Sequence, residues 1–91
     1  MKYIGFWEFD PKDFDKVLKK YLDQESWPDF PESITDGFGL GGEFRGFQLY
    51  ETDNPEHLTN LALYYAPEME FTFTPIFEVA KVVEAYQKMQ K

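Results

Sequence analysis

Glu8 is the residue whose surroundings most readily suggest chemistry. It follows Ile4 and Phe6 at alternate positions of KYIGFWEF, residues 2–9, so a strand would set its carboxylate on an apolar face. A carboxylate among apolar groups is desolvated and its pKa rises, as a general base requires. The plainer alternative is that Glu8 ends the strand and reaches water. Gln48, Thr72 and Thr74 are polar residues inside strand-like runs. Sharing a pocket with Trp7 and Tyr50, they would give apolar walls with a few polar handles, the composition of a small-ligand site. In an enzyme of this kind Glu8 takes a proton and Gln48 or Tyr50 polarises the substrate. In a binding protein Trp7, Thr72 and Thr74 hold the ligand. The plainer alternative is that the polar strand residues face solvent or satisfy one another across strands. Periodicity alone leaves open which strand parity faces the helices.

Other chemistry is sparse. His57 is the only histidine, so no two-histidine metal site and no pair of haem histidines can form. It follows Asn54-Pro55 in the first turn of a helix, where a surface position is expected. The absence of cysteine excludes disulfides and cysteine-ligated zinc. The run Gly37-Phe38-Gly39-Leu40-Gly41-Gly42 lacks the Lys-Ser/Thr of a phosphate loop. Tyr64, Tyr65 and Glu68 could supply a phenol and an acid, but aromatic packing at a helix end accounts for them. Asp53, Asn54 and Glu56 resemble a metal cluster, but helix capping accounts for two of them. No metal and no cofactor are expected.

Composition bounds the rest. A chain of 91 residues makes one domain, residues 1–91. With 20% aromatic residues it folds rather than staying disordered. A chain this short buries little of its surface, so the aromatic excess suggests a subunit interface and a homodimer. The net charge is −8, and from Tyr21 to Ala80 twelve acids face a single base, Arg45. That disfavours nucleic acid and anionic membrane as partners. No apolar run approaches the ~20 residues of a membrane span. MKYIGFWEFD does not read as a signal peptide, so a cytoplasmic protein is expected.

The elements that must position these residues can be read from period and punctuation. Residues 2–9 form a strand with two apolar faces, so both faces need cover. Asp10-Pro11 starts a helix, and Phe14, Val17, Leu18, Tyr21 and Leu22 make one face of it. Residues 25–36 are a loop with Trp27 and Phe30 tucked onto the core. Ile34–Leu40 is a poor second strand, and Gly41-Gly42 a turn. Arg45–Glu51 is a third strand, setting Phe47 and Leu49 against Gly46, Gln48 and Tyr50. Asn54-Pro55 caps a second helix that ends at Ala66-Pro67. Met69–Phe77 is a fourth strand, with Pro75 fitting an edge. Val79, Val82, Val83 and Tyr86 stripe a last helix, with Glu84 and Lys88 paired outside. The strand-cap-Pro-helix pattern at Pro11 returns at Pro55. Two such halves give an α+β, ferredoxin-like βαββαβ fold with an extra C-terminal helix. Its first and third strands are central, its helices cover one face, and the bare face calls for a partner.

The stretch Gly46–Glu78 resembles a small family known only as a domain of unknown function. Gly46, Phe47, Glu51, Thr52, Asp53, Thr74 and Pro75 match as they stand. The likeness covers most of the chain and is loose between Asp23 and Gly42. It implies a dimeric α/β barrel of the ferredoxin-like superfamily and transfers no catalytic residue. That superfamily includes cofactor-free oxygenases, haem-handling enzymes and ligand-sensing domains, so fold alone does not decide function. Family members carry residues like Gly-Arg-Trp-His in the second strand, where this chain has Asp36-Gly37-Phe38-Gly39-Leu40 and no imidazole. The expectation is a small-molecule binder with an apolar or aromatic ligand beside the sheet. The alternatives are a cofactor-free oxygenase or isomerase with Glu8 as base, and a purely structural or partner-binding dimer.

Overall fold

A computed structural model of the chain describes residues 1–24 and 29–90. Trp27, expected on the core, lies outside the described residues. The elements are β1 (Lys2–Phe9), a 3-10 turn (Pro11–Asp13), α1 (Phe14–Asp23), β2 (Glu32–Ser33), β3 (Phe38–Gly39), β4 (Arg45–Glu51), α2 (Glu56–Tyr65), β5 (Met69–Ile76) and α3 (Val79–Met89). Asp10 caps as its sequence implies, its carboxylate accepting from the Lys12 N–H at 3.0 Å. Pro11 then opens the 3-10 turn rather than the α-helix itself, which starts three residues later.

All strand pairs are antiparallel, in the order β2-β4-β1-β5, with β3 also on β4. β2 and β3 are two short ladders on one side of β4, so the sheet reads fourth-first-third-second. This is the ferredoxin-like arrangement, with the first and third strands central. The second strand corrects the expectation of a continuous Ile34–Leu40. Ser33 pairs with Tyr50 and Phe38 with Phe47. Five steps along this segment therefore match three along β4, and two extra residues bulge out between the ladders. The Thr35 hydroxyl accepts from the Leu49 N–H at 3.2 Å within that bulge, standing in for a ladder bond.

The register sorts every side chain to a face. Trp7 pairs with Gly46 and Phe71, and Gly5 with Gln48 and Phe73. Tyr3, Gly5, Trp7 and Phe9 therefore share a face with Gly46, Gln48, Tyr50, Phe71 and Phe73. This face meets the helices: Val17 of α1 and Leu61 and Tyr65 of α2 join Tyr50 and Met69 in the buried cluster. Two glycines make the aromatic layer fit. A Cβ on Gly5 would lie 2.7 Å from the Tyr50 ring, and one on Gly46 would lie 2.6 Å from the Trp7 indole. Phe30 packs edge-on against Tyr64, with ring centroids 5.7 Å apart, so this part of the loop does reach the core.

The opposite face has no helix on it. It carries Ile4, Phe6, Phe47 and Leu49 on the two central strands, and Phe38 stacks on Phe47 at 5.5 Å. Phe6 stays 44% exposed there. The striped face of α3 is also uncovered, and no residue of that helix is buried. Its expected Glu84–Lys88 pair forms at 3.5 Å.

Candidate functional site

α1 has a well-defined apolar face, yet only Val17 of that face is buried. Phe14, Leu18, Tyr21 and Leu22 remain exposed, Tyr21 at 64% and Leu22 at 71%. The helix touches the fold through Phe14, whose ring meets Phe9 and Phe44, through Val17, and through polar bonds near its C-terminal end. The Lys20 ammonium reaches the Glu68 carboxylate at 2.7 Å and the Ala66 carbonyl at 3.0 Å. The Tyr64 hydroxyl donates to the Lys20 carbonyl at 2.7 Å. Between α1, α2 and the sheet lies a cavity of about 640 Å³. That is within the range of pockets that enclose multi-ring ligands.

The cavity floor is the aromatic layer of the sheet. Trp7 tilts against Phe71 at 6.3 Å, and Phe71 meets Tyr65 at 5.5 Å. Besides Ser33 and Tyr21, two hydrogen-bonded pairs of polar side chains line the cavity. The Tyr50 hydroxyl donates to the Gln48 side-chain carbonyl at 3.0 Å, and the Gln48 amide donates to the Thr35 carbonyl at 2.7 Å. The bulge in the second strand thus fixes the orientation of Gln48. Across the cavity the Tyr65 hydroxyl donates to the Gln24 side-chain carbonyl. Burial pushes the Tyr50 phenol well above its ordinary value of 10.0, with Tyr21 adding to the effect. Burial does the same to Tyr65, with Tyr64, Tyr50 and Tyr21 adding. Both phenols are therefore neutral hydrogen-bonding groups at any ordinary pH. Among the described residues that line the cavity there is no Asp, Glu, Lys, Arg or His.

The structure divides the residues singled out from sequence. Trp7, Gln48 and Tyr50 come together in the cavity. Thr72 and Thr74 pair with Phe6 and Ile4, so they lie on the helix-free face and do not join them. Glu8 is on that far face too, between Arg45 and Glu70 on the neighbouring strands. It is exposed, so the desolvation expected from Ile4 and Phe6 is absent in the single chain. The physical reason is its place at the strand end, beside charged rather than apolar neighbours. Gln24 is a cavity residue that periodicity passed over, whereas Tyr65 follows Leu58, Leu61 and Ala62 at helical spacing. Tyr65 reads as helix-end packing, and Gln24 is the exposed C-cap of α1, so only the tertiary fold brings them together. His57 is half-buried rather than a free surface residue, its Nδ1 lying 2.8 Å from the buried Thr52 hydroxyl. Among the described residues no three His, Asp or Glu side chains converge to hold a metal. No described helix is long and apolar enough to cross a membrane.

Sheet, helices and strand order define an α+β domain of the ferredoxin-like type. The chain belongs to the family described as Domain of unknown function (DUF3303), whose model matches residues 1–90. Comparison with curated proteins and with solved structures gives no match.

Proposed function

We propose that the chain binds a small, largely apolar or aromatic molecule in the cavity under α1. The observation that carries this reading is the uncovered apolar face of α1. Leu18, Tyr21 and Leu22 border an aromatic cavity and stay exposed, while Phe14 at the start of the helix meets Phe9 and Phe44. Exposed apolar side chains concentrated on one concave site mark a binding surface. The lining favours binding over proton abstraction, because the described residues offer it no carboxylate or imidazole. An oxygenase or isomerase with Glu8 as base would need substrate on the far face, away from Gln48 and Tyr50.

The test is a neutral fluorescent naphthylamine titrated into wild-type protein and into Leu18→Trp. Leu18 is exposed and lines the cavity, so the larger ring fills the space without disturbing the buried cluster. Saturable binding that weakens at least about tenfold in the variant supports the reading, a loss of ~1.4 kcal/mol. Unchanged binding in Leu18→Trp would put the probe elsewhere and remove the reading.

A second reading is favoured by the other uncovered surface. The helix-free sheet face presents Phe6, Phe38, Phe47 and Leu49, and we take its occupant to be a second copy of the chain. A two-fold axis lets one patch meet its own equivalent, which needs no other partner.

A further inference from the structure

Resting on the binding reading above, we infer that the ligand is uncharged and carries hydroxyl groups, which the Tyr50–Gln48 and Tyr65–Gln24 pairs recognise. The Tyr50 hydroxyl spends its hydrogen on Gln48, and Gln48 spends one amide hydrogen on Thr35. A phenol oxygen keeps a lone pair and an amide nitrogen keeps a second hydrogen. The Tyr65–Gln24 pair likewise leaves a phenol lone pair, together with amide hydrogens. Each pair therefore presents an acceptor beside at least one donor. A hydroxyl group is both donor and acceptor, so a single hydroxyl satisfies a pair at both atoms.

Charge points the same way. The chain carries 17 acids and 9 bases, yet none is among the described residues that line the cavity. An ion buried without a partner is costly, and among the described residues neither a carboxylate, a phosphate nor an ammonium finds its counter-charge here. A bare hydrocarbon would fit the walls. It would also cover two polar pairs and strip them of water without replacing those bonds. The ligand class that answers both walls and pairs is a flat aromatic body with hydroxyls, phenolic ones included.

Four probes on one carbon skeleton test this: biphenyl, its dihydroxy derivative, its dicarboxylate and its bis(aminomethyl) derivative. Each is measured by displacement of the neutral naphthylamine. The diol is expected to bind about tenfold or more tighter than biphenyl, and both ions at least about tenfold weaker than the diol. Tyr50→Phe and Tyr65→Phe should each weaken the diol about tenfold relative to biphenyl. Biphenyl binding also reports that the variant's cavity has formed. Equal affinity for biphenyl and the diol, unaffected by both variants, overturns the hydroxyl inference and leaves the binding reading standing. A dicarboxylate or diammonium that binds as well as the diol overturns it too. If none of the four displaces the naphthylamine, or Leu18→Trp leaves displacement unchanged, the binding reading itself falls and takes this inference with it.

Discussion

Gly46 controls how Trp7 lies on the sheet. A Cβ there would come within 2.3 Å of the Phe38 carbonyl oxygen, which is backbone and cannot swing aside. Gly46→Ala should therefore destabilise the fold by about 1–3 kcal/mol, the usual range for overpacking, as read by urea unfolding. Stability equal to wild type would contradict the pairing of Phe38 with Phe47. The buried phenols give a second expectation. Because burial raises Tyr50 and Tyr65 in the fold, the unfolded chain ionises them first. Their contribution is intact below the ordinary phenol value of 10.0 and is lost as pH rises above it. Tyr50→Phe should flatten that alkaline decline in melting temperature, and phenolate absorbance should show two tyrosines titrating only as the fold opens. Much of the site was legible at this scale. Alternation correctly separated Gln48 and Tyr50 from Phe47 and Leu49, and Phe71 from Thr72. What alternation lacks is a sign, because a period of two says which residues share a face and not which face the helices take. Thr72 and Thr74 can be set beside Trp7 and Tyr50 for that reason, whereas Glu8 has the opposite parity to Trp7 in one strand and so never shares its face.

α1 is an element held at a few points, by Phe14 on Phe9 and Phe44, by Val17 in the core, and by Lys20. Lys20 holds it to Glu68 and Ala66, while its apolar face borders the cavity. The Lys20 ammonium bonded to Glu68 holds that carboxyl below its ordinary value of 4.5, helped by a backbone hydrogen bond. A lowered carboxyl stabilises the fold above its unfolded value, and the gain is lost as pH falls through the folded one. Glu68→Gln should lower the melting temperature at neutral pH, with the difference from wild type shrinking as the solution is acidified through the carboxylate range. A difference that persists in acid would mean that Glu68 acts through packing alone. The element pattern was legible where a single residue type carries it. β1 and β4 begin and end where alternation put them, and Asp10 and Asn54 each accept a hydrogen bond from the backbone N–H two residues on. The second strand was not legible. Its pairing is broken by two bulged residues and repaired by the Thr35 hydroxyl, and neither follows from hydropathy.

The whole molecule is longer than its residue count suggests. Its radius of gyration is 15.7 Å, against about 12 Å for a compact chain of this size. The excess fits a terminal helix with no buried residue and a sheet with one open face. Both surfaces were visible as apolar stripes in the sequence, but what covers a stripe is a property of neighbours and not of period. A second copy on the sheet face makes a direct prediction. Phe6→Asp should shift the protein from dimer to monomer in sedimentation velocity, because an aspartate cannot be buried there without a partner. A wild-type protein that sediments as a monomer at high concentration would end the dimer reading.

α3 turns that question into something that can be timed. An isolated helix of 11 residues is marginal in water, and this one has no buried residue to hold it. In a lone chain its amide hydrogens should exchange with deuterium almost as fast as those of an unfolded peptide, while β1 and β4 stay protected. If a second copy covers the helix, protection of residues 79–89 should grow with protein concentration. The concentration at half-protection would then give the dissociation constant of the assembly, read from a helix with no buried residue of its own.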